Sequence, residues 1–220
     1  MSLEELWEKT GKKNFVNYQI HGKKSSYNNM LDSNSGLDFL AEFIEPTVVI
    51  IKHGNACGVA SSKNINYAFT KAFNADKQSS FGGIVLLNKN ITPSISNLVV
   101  KNFFEAVIAT GFDKKSIEIL KNKKNLILIN SKKIKKNLLE NTRSVRGGNL
   151  IQKIDIKKIT KKNFSLVSKD KKINRKEYED ILFAFKIVKH IKSNAIVLVK
   201  NKQTIGIGAG QMNRFDATRI

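Results

Sequence analysis

A cation followed by an imidazole, Lys52-His53, closes an unbroken apolar run, TVVII from Thr47 to Ile51, and opens the segment KHGNACGVA, Lys52 to Ala60. These residue types suit proton transfer beside a developing negative charge. An imidazole is the side chain best matched to accept a proton near neutral pH, and an ammonium can stabilise an oxyanion. A buried strand that ends in this pair at a glycine-bounded turn delivers both groups to the rim of a sheet, where α/β proteins place their chemistry. Successive residues of an extended strand point to opposite sides, so both reach one substrate only if the chain turns at this point. Gly54 and the NACG elbow supply that turn. A histidine beside an apolar run is as often a satisfied structural residue as a base, so the rest of the chain must decide between them. Cys57, the single cysteine, excludes an internal disulfide and a Cys-based zinc site. It reads as a packed elbow residue rather than a nucleophile, because only His53 stands near enough in sequence to activate it.

The elements that must position these groups follow from periodicity. Asp32 is placed to cap a helix carrying Leu37, Leu40, Ala41 and Ile44 and ended by Pro46. TVVII is then a buried strand, Asn64 to Ala75 a helix, and GGIVLLN a second buried strand. A helix from Pro93 to Phe104, a strand EAVIAT, a helix DKKSIEILKNK and a strand NLILIN come next, before the pattern thins into a Lys-rich stretch. The rhythm restarts at Asn174 with an amphipathic helix carrying Tyr178, Ile181, Leu182, Phe185, Val188 and Ile191. Strands NAIVLVK and TIGIGAG follow, joined at Asn201 and Lys202. This alternation is the α/β signature. It divides the chain into a first α/β lobe over 1–152, a connector over 153–173 and the opening of a second lobe over 174–220.

Composition bounds the function independently. At 220 residues, 41% hydrophobic and 26% charged, the chain is long enough to bury a core. No window approaches the roughly 18 consecutive apolar residues of a membrane span. The N-terminus, MSLEELWEKTGKK, carries acidic residues where a secretory signal has basic ones, so the cytoplasm is the expected location. A net charge of +21 and a pI near 10.0 raise the possibility of a nucleic-acid partner. Of the 39 basic residues, however, only Arg143, Arg146, Arg175, Arg214 and Arg219 are arginine, the residue favoured for reading base edges. The densest runs, KNKKN, SKKIKKN and KKITKKN, lie between apolar segments as solvated loops and helix faces. A basic nucleic-acid-binding module is the alternative reading.

Four further segments run into glycine-rich or polar elbows: GKKSSYNN at Gly22 to Asn29, SSFGGIVLLN at Ser79 to Asn88, SVRGGNLIQ at Ser144 to Gln152, and KSNAIVLVKNKQTIGIGAGQMNR at Lys192 to Arg214. GIGAGQ is not a dinucleotide fingerprint, because its glycines fall late and within an alternating strand. With KHGNACGVA, these motifs in this order resemble the transformylase domain of the AICAR transformylase/IMP cyclohydrolase family, from about Gln19 to Ile220.

That resemblance implies a cytidine-deaminase-like α/β architecture and the transfer of a formyl group from 10-formyltetrahydrofolate to the 5-amino group of AICAR. His53 and Lys52 match the family's catalytic dyad, His as proton acceptor and Lys as stabiliser of the transition state. Gly82, Glu105, Asn194 and Arg214 match residues that bind AICAR, and Phe215 matches one that touches the folate. No metal is implied. A homodimer is, with sites formed between subunits, and no nucleic acid or membrane partner. The chain departs from the family pattern at Ala56, where Pro is usual, and lacks the upstream Arg-Tyr motif. The IMP cyclohydrolase domain and the later second-lobe segments are also missing, so the expectation is a fragment of a bifunctional enzyme, or a non-catalytic remnant of one.

Overall fold

A computed structural model of the protein describes residues 15–134, 140–167 and 172–220. The N-terminal segment considered above for a signal and the end of the SKKIKKN run lie outside the described residues. Its centre is a six-stranded mixed sheet ordered β1-β6-β5-β4-β2-β3. The strands are β1 (Gln19–His21), β2 (Thr47–Lys52), β3 (Asn55–Ser61), β4 (Ile84–Leu87), β5 (Ala106–Ala109) and β6 (Ile127–Asn130). β4, β5 and β6 are parallel, whereas β2 runs antiparallel to both β4 and β3, and β1 antiparallel to β6. The expected α/β class is the observed one.

Both faces of this sheet are covered, and so its inner strands β2, β4, β5 and β6 carry nearly continuous apolar runs rather than alternating patterns. Val49, Ile51, Ile84, Leu86, Ala106, Ile108, Ile127 and Ile129 point to one face, and their neighbours Val48, Ile50, Val85, Leu87, Val107, Ala109 and Leu128 to the other. On the first face lie α1 (Tyr27–Leu40), through Met30, Phe39 and Leu40, and α6 (Arg175–Val188), through Phe183 and Ile187. The second face is covered by α2 (Ile65–Ala75), α4 (Pro93–Lys101) and α5 (Lys114–Lys121), through Phe69, Ile95, Val99 and Leu120. The one-turn helix α3 (Lys77–Ser80) follows α2 directly.

Each helix starts where the sequence offers a side-chain acceptor for its orphan amides. Asn64, Thr92 and Asp113 cap α2, α4 and α5, and Pro93 occupies the first turn of α4. Asn174 and Glu177 form a capping box on α6. α1 departs from expectation. Its cap is Ser26, in a capping box with Asn29, so the helix begins five residues before Asp32, which lies inside it. Ser26 wins because its hydroxyl and the Asn29 amide satisfy each other's backbone partners reciprocally. Ile44 lies beyond that helix, 93% exposed. The NACG elbow is likewise not a loop: Asn55 to Ser61 is strand β3, the hairpin partner of β2.

Two hairpins lie outside the central sheet. β7 (Glu140–Val145) and β8 (Gly148–Lys153) pair antiparallel about Arg146-Gly147, with both strands exposed. β9 (Ile196–Val199) and β10 (Thr204–Gly208) pair about Asn201-Lys202. This second hairpin docks along the edge strand β3. Ser61 donates its N–H to the Lys202 carbonyl at 3.0 Å, and the Thr204 hydroxyl accepts from Val59 N–H at 3.0 Å. The sheet edge is thereby covered. A last short helix, α7 (Arg214–Arg219), follows. The KNKKN and KKITKKN runs are exposed apart from a half-buried Ile159, and among the described residues no helix is long and apolar enough to cross a membrane.

Candidate active site

The β2–β3 connection is a two-residue turn. Lys52 pairs with Asn55, and His53 and Gly54 between them have φ of 54° and 74°. Two consecutive left-handed residues make a turn of the primed type, whose twist matches the hairpin it closes. Gly54 adopts this conformation without strain; at a non-glycine residue it costs on the order of 1–2 kcal/mol. The offsetting interaction comes from α1. The Asp32 carboxylate accepts the N–H of His53 at 3.0 Å through Oδ2 and that of Gly54 at 2.7 Å through Oδ1. Charge-assisted bonds of this kind are the stronger class. One turn earlier in the hairpin, Ile50 pairs with Gly58 and Ile51 with Ala56, so Cys57 is the extra residue of a bulge.

The turn resolves the geometric difficulty of adjacent residues. Because the backbone reverses at His53, Lys52 and His53 both line one cleft of about 650 Å³. Its walls include Asn55 and Cys57 of β3, Asp76 and Ser79 around α3, Thr204 to Ile207 of β10, and Gln211. His53 is exposed and so is not a satisfied core histidine. Lys52 Nζ donates to the Phe81 carbonyl at 2.7 Å, which fixes the ammonium at the mouth of the SSFGG turn and leaves it two further hydrogens to donate. Burial, with Asp76 next, pushes the Cys57 thiol up to about 11, consistent with a packed residue rather than a nucleophile.

The other sequence-derived residues are distributed around this cleft. Gly82 adjoins the Lys52 contact; its φ is 73° and its N–H donates to the Phe103 carbonyl at 2.8 Å. Phe81 and Phe103 pack with ring centroids 5.1 Å apart. Beyond Phe103 lies a second cleft of about 380 Å³, lined by Lys23, Asn102, Glu105, Lys123 and Asn125, among others. Glu105 belongs there. Its carboxylate pairs with Lys23 at 2.7 Å, away from the walls of the first cleft. Asn194 exchanges backbone hydrogen bonds with Gln211, and its side-chain Nδ2 donates to the Gln211 and Met212 carbonyls at 3.1 Å each. It therefore holds the GQMNR segment against the start of β9. Arg214 and Phe215 open α7, both exposed, with Phe215 at 72%. Neither lines the cleft itself, but Gln211 before them and Ile220 after them do, so α7 flanks its rim.

Two residues were not among the sequence candidates. Asp32 was assigned to a helix cap; no local signal marks a mid-helix carboxylate as the anchor of a turn 21 residues on. Lys192 enters because Gly210 N–H donates to its carbonyl at 2.8 Å and its own N–H reaches Asn55 Oδ1 at 3.5 Å. These bonds bring its ammonium to 3.8 Å from where a Cβ on Gly54 would stand. The device seen at Asp32 also recurs. In the second hairpin, the Asp180 carboxylate of α6 accepts the N–H groups of Asn201 and Lys202, both at 2.7 Å, and both residues are left-handed with φ of 54° and 53°. The spacings, 21 and 22 residues, are those from Asp32 to His53 and Gly54.

Fold and cleft together define an α/β protein with a cation and an imidazole held at the rim of a sheet. The family model described as the AICARFT/IMPCHase bienzyme matches residues 4–220, and the chain belongs to that family. It is 45% identical over 198 residues to the bifunctional purine biosynthesis protein PurH of Caldicellulosiruptor saccharolyticus, covering 90% of this chain and 38% of that protein. To the protein of the same name from Bacillus subtilis it is 42% identical over 205 residues, covering 92% and 40%. The chain thus spans about two fifths of the length of the curated relatives it matches.

Proposed function

We propose that this chain carries the proton-transfer part of an AICAR formyltransferase site, which moves a formyl group from 10-formyltetrahydrofolate to the 5-amino group of AICAR. The observation that carries this reading is the left-handed His53-Gly54 turn, which brings an imidazole and an ammonium onto one cleft. In the reaction, the amine nitrogen attacks the formyl carbon and the carbonyl electrons move onto oxygen. Lys52, anchored through one hydrogen to Phe81, donates to that oxyanion. His53 takes the proton that the attacking nitrogen releases. Collapse of the intermediate breaks the bond from the formyl carbon to the folate N10, to which His53 returns the proton, yielding tetrahydrofolate and formylated AICAR.

Gly82, which follows the Phe81 carbonyl that holds Lys52 and bonds to Phe103 on the wall of the second cleft, is assigned with Glu105 to the AICAR contact. Asn194, Arg214 and Phe215 sit on the flank, where the first two are assigned to AICAR and the exposed Phe215 ring to the pteridine of the folate. In this reading residues 1–152 are the first lobe, 153–173 the connector and 174–220 the opening of the second, and the protein acts as a cytoplasmic homodimer.

Calorimetric titration with AICAR and a formyl-transfer assay on the protein and its His53→Ala variant test the assignment. The expected result is AICAR binding retained in the variant, with turnover down by about 10²–10⁴-fold. Absence of AICAR binding by the parent chain, or wild-type turnover by the variant, would overturn it. Tight, steeply salt-dependent polynucleotide binding indifferent to His53 would support the nucleic-acid alternative instead.

A further inference from the structure

We infer that Asp32 is a positioning residue for His53: its carboxylate holds the turn whose conformation decides where the imidazole stands. The inference rests on the proposed function for its catalytic consequence, though not for its structural content. Two successive left-handed residues turn their N–H groups toward the same side and form a concavity for an anion. Asp32 fills it from a fixed mount. The Ser26 capping box sets the start of α1, while Met30, Ser33, Gly36 and Phe39 are buried on either side of Asp32 in sequence. An added Cβ on Gly36 would run into the Leu86 side chain, so the helix lies close against β4. The carboxylate is half-buried on a rigid element rather than on a loop, as precise positioning requires.

The two members of the pair are held differently. Lys52 is pinned at its tip by the Phe81 carbonyl, whereas His53 is set through its backbone by Asp32. Releasing the clamp should therefore displace the imidazole and leave the ammonium in place. Substrate contacts made by other residues would persist, and the loss should appear in turnover rather than in AICAR affinity. The chain contains its own control. Asp180 clamps the Asn201-Lys202 turn in the same way, but no imidazole stands at the tip of that turn.

The test compares Asp32→Asn, Asp32→Glu and Asp180→Asn. Asparagine keeps the size of the side chain but sets an NH2 donor against one of the two turn amides; glutamate keeps both acceptor oxygens. Hydrogen exchange at the His53 and Gly54 amides, followed by NMR on the chain without substrate, should rise at least about tenfold in Asp32→Asn. Turnover in formyl transfer should fall by about 10–100-fold with KM for AICAR within about twofold, and Asp32→Glu should recover part of it. Asp180→Asn should raise exchange at Asn201 and Lys202 while leaving turnover within about twofold. Unchanged exchange at His53 and Gly54 or unchanged turnover in Asp32→Asn overturns the inference. So does an equal loss of turnover in Asp180→Asn, which would make the effect one of general loosening. Wild-type turnover by His53→Ala is a different failure: it overturns the proposed function, while the exchange measurement still decides whether Asp32 holds the turn.

Discussion

Protonation of Glu42 is expected to weaken the attachment of the end of α6 to α1 and the segment that follows it. Glu42 lies just beyond α1, and its Oε1 accepts from Lys189 Nζ at 2.9 Å and His190 Nε2 at 3.1 Å, both immediately past the end of α6. None of the three side chains is more than 19% exposed, and the His190 ring packs 5.0 Å from Phe39. The hydrogen bond from His190, with a further one from Lys189, outweighs burial and holds Glu42 down from 4.5 to about 2. A carboxylate whose folded value lies below its unfolded one contributes stability that is fully present above the unfolded value and lost as pH falls through the folded one. The gap corresponds to roughly 3 kcal/mol, to be lost between pH 4.5 and about 2. Urea unfolding of the protein and its Glu42→Gln variant, followed by circular dichroism from about pH 6 down to about pH 2, measures it. The difference between the two should be full at the upper end and shrink through that window. A difference that stays constant over the whole range would refute the argument, because the charge on Glu42 would then contribute nothing.

Gly58→Ala should be destabilising, because a Cβ there would run into the Ala72 carbonyl oxygen of α2, and backbone cannot swing aside as a side chain can. About 2–3 kcal/mol is expected, seen as a melting temperature lowered by roughly 5–10 °C; an unchanged melting curve would show that α2 shifts freely on β3. Cys57, its thiol raised to about 11, should react slowly with iodoacetamide at neutral pH in the folded protein and much faster in urea. Its native rate should climb close to tenfold per pH unit up to that value, and a plateau already near pH 9 would contradict the assigned burial.

Much of the fold was legible because both local and long-range forces favoured the same elements. TVVII, GGIVLLN, EAVIAT and NLILIN each carry a short, unbroken apolar run bounded by polar or turn residues, and each contains a strand of the central sheet. Asn64 and Asn174 were recognisable starts because a cap is a contact between near neighbours in sequence. The misassignments share a cause. Asp32 carries the same side chain whether it caps a helix or grips a turn, and only the packing of α1 over β2 and β3 selects the second role. Asn55 to Ser61 contains an asparagine and a glycine that suggest a loop, yet pairing with β2 makes it a strand, with the irregularity absorbed by the bulge at Cys57.

The candidate site divides in the same way. The residue types of Lys52 and His53, and the need for a turn between strand and substrate, were fixed by the chain itself, as was membership of a family whose motifs run in order from Gly22 to Arg214. Their common cleft was not. It depends on left-handed backbone at His53, on the reach of Lys52 to Phe81, and on β10 docking beside β3 more than 140 residues later in the chain. Glu105 faces a second cleft beside Lys23, and Lys192 approaches the turn from the far end of α6, because those positions are set by strand order and helix packing. Side-chain chemistry and short-range periodicity are properties of neighbouring residues and can be recognised along the chain. Which groups share a volume depends on how the layers close over the core, and that is decided only when the sheet, α1 and α6 pack together.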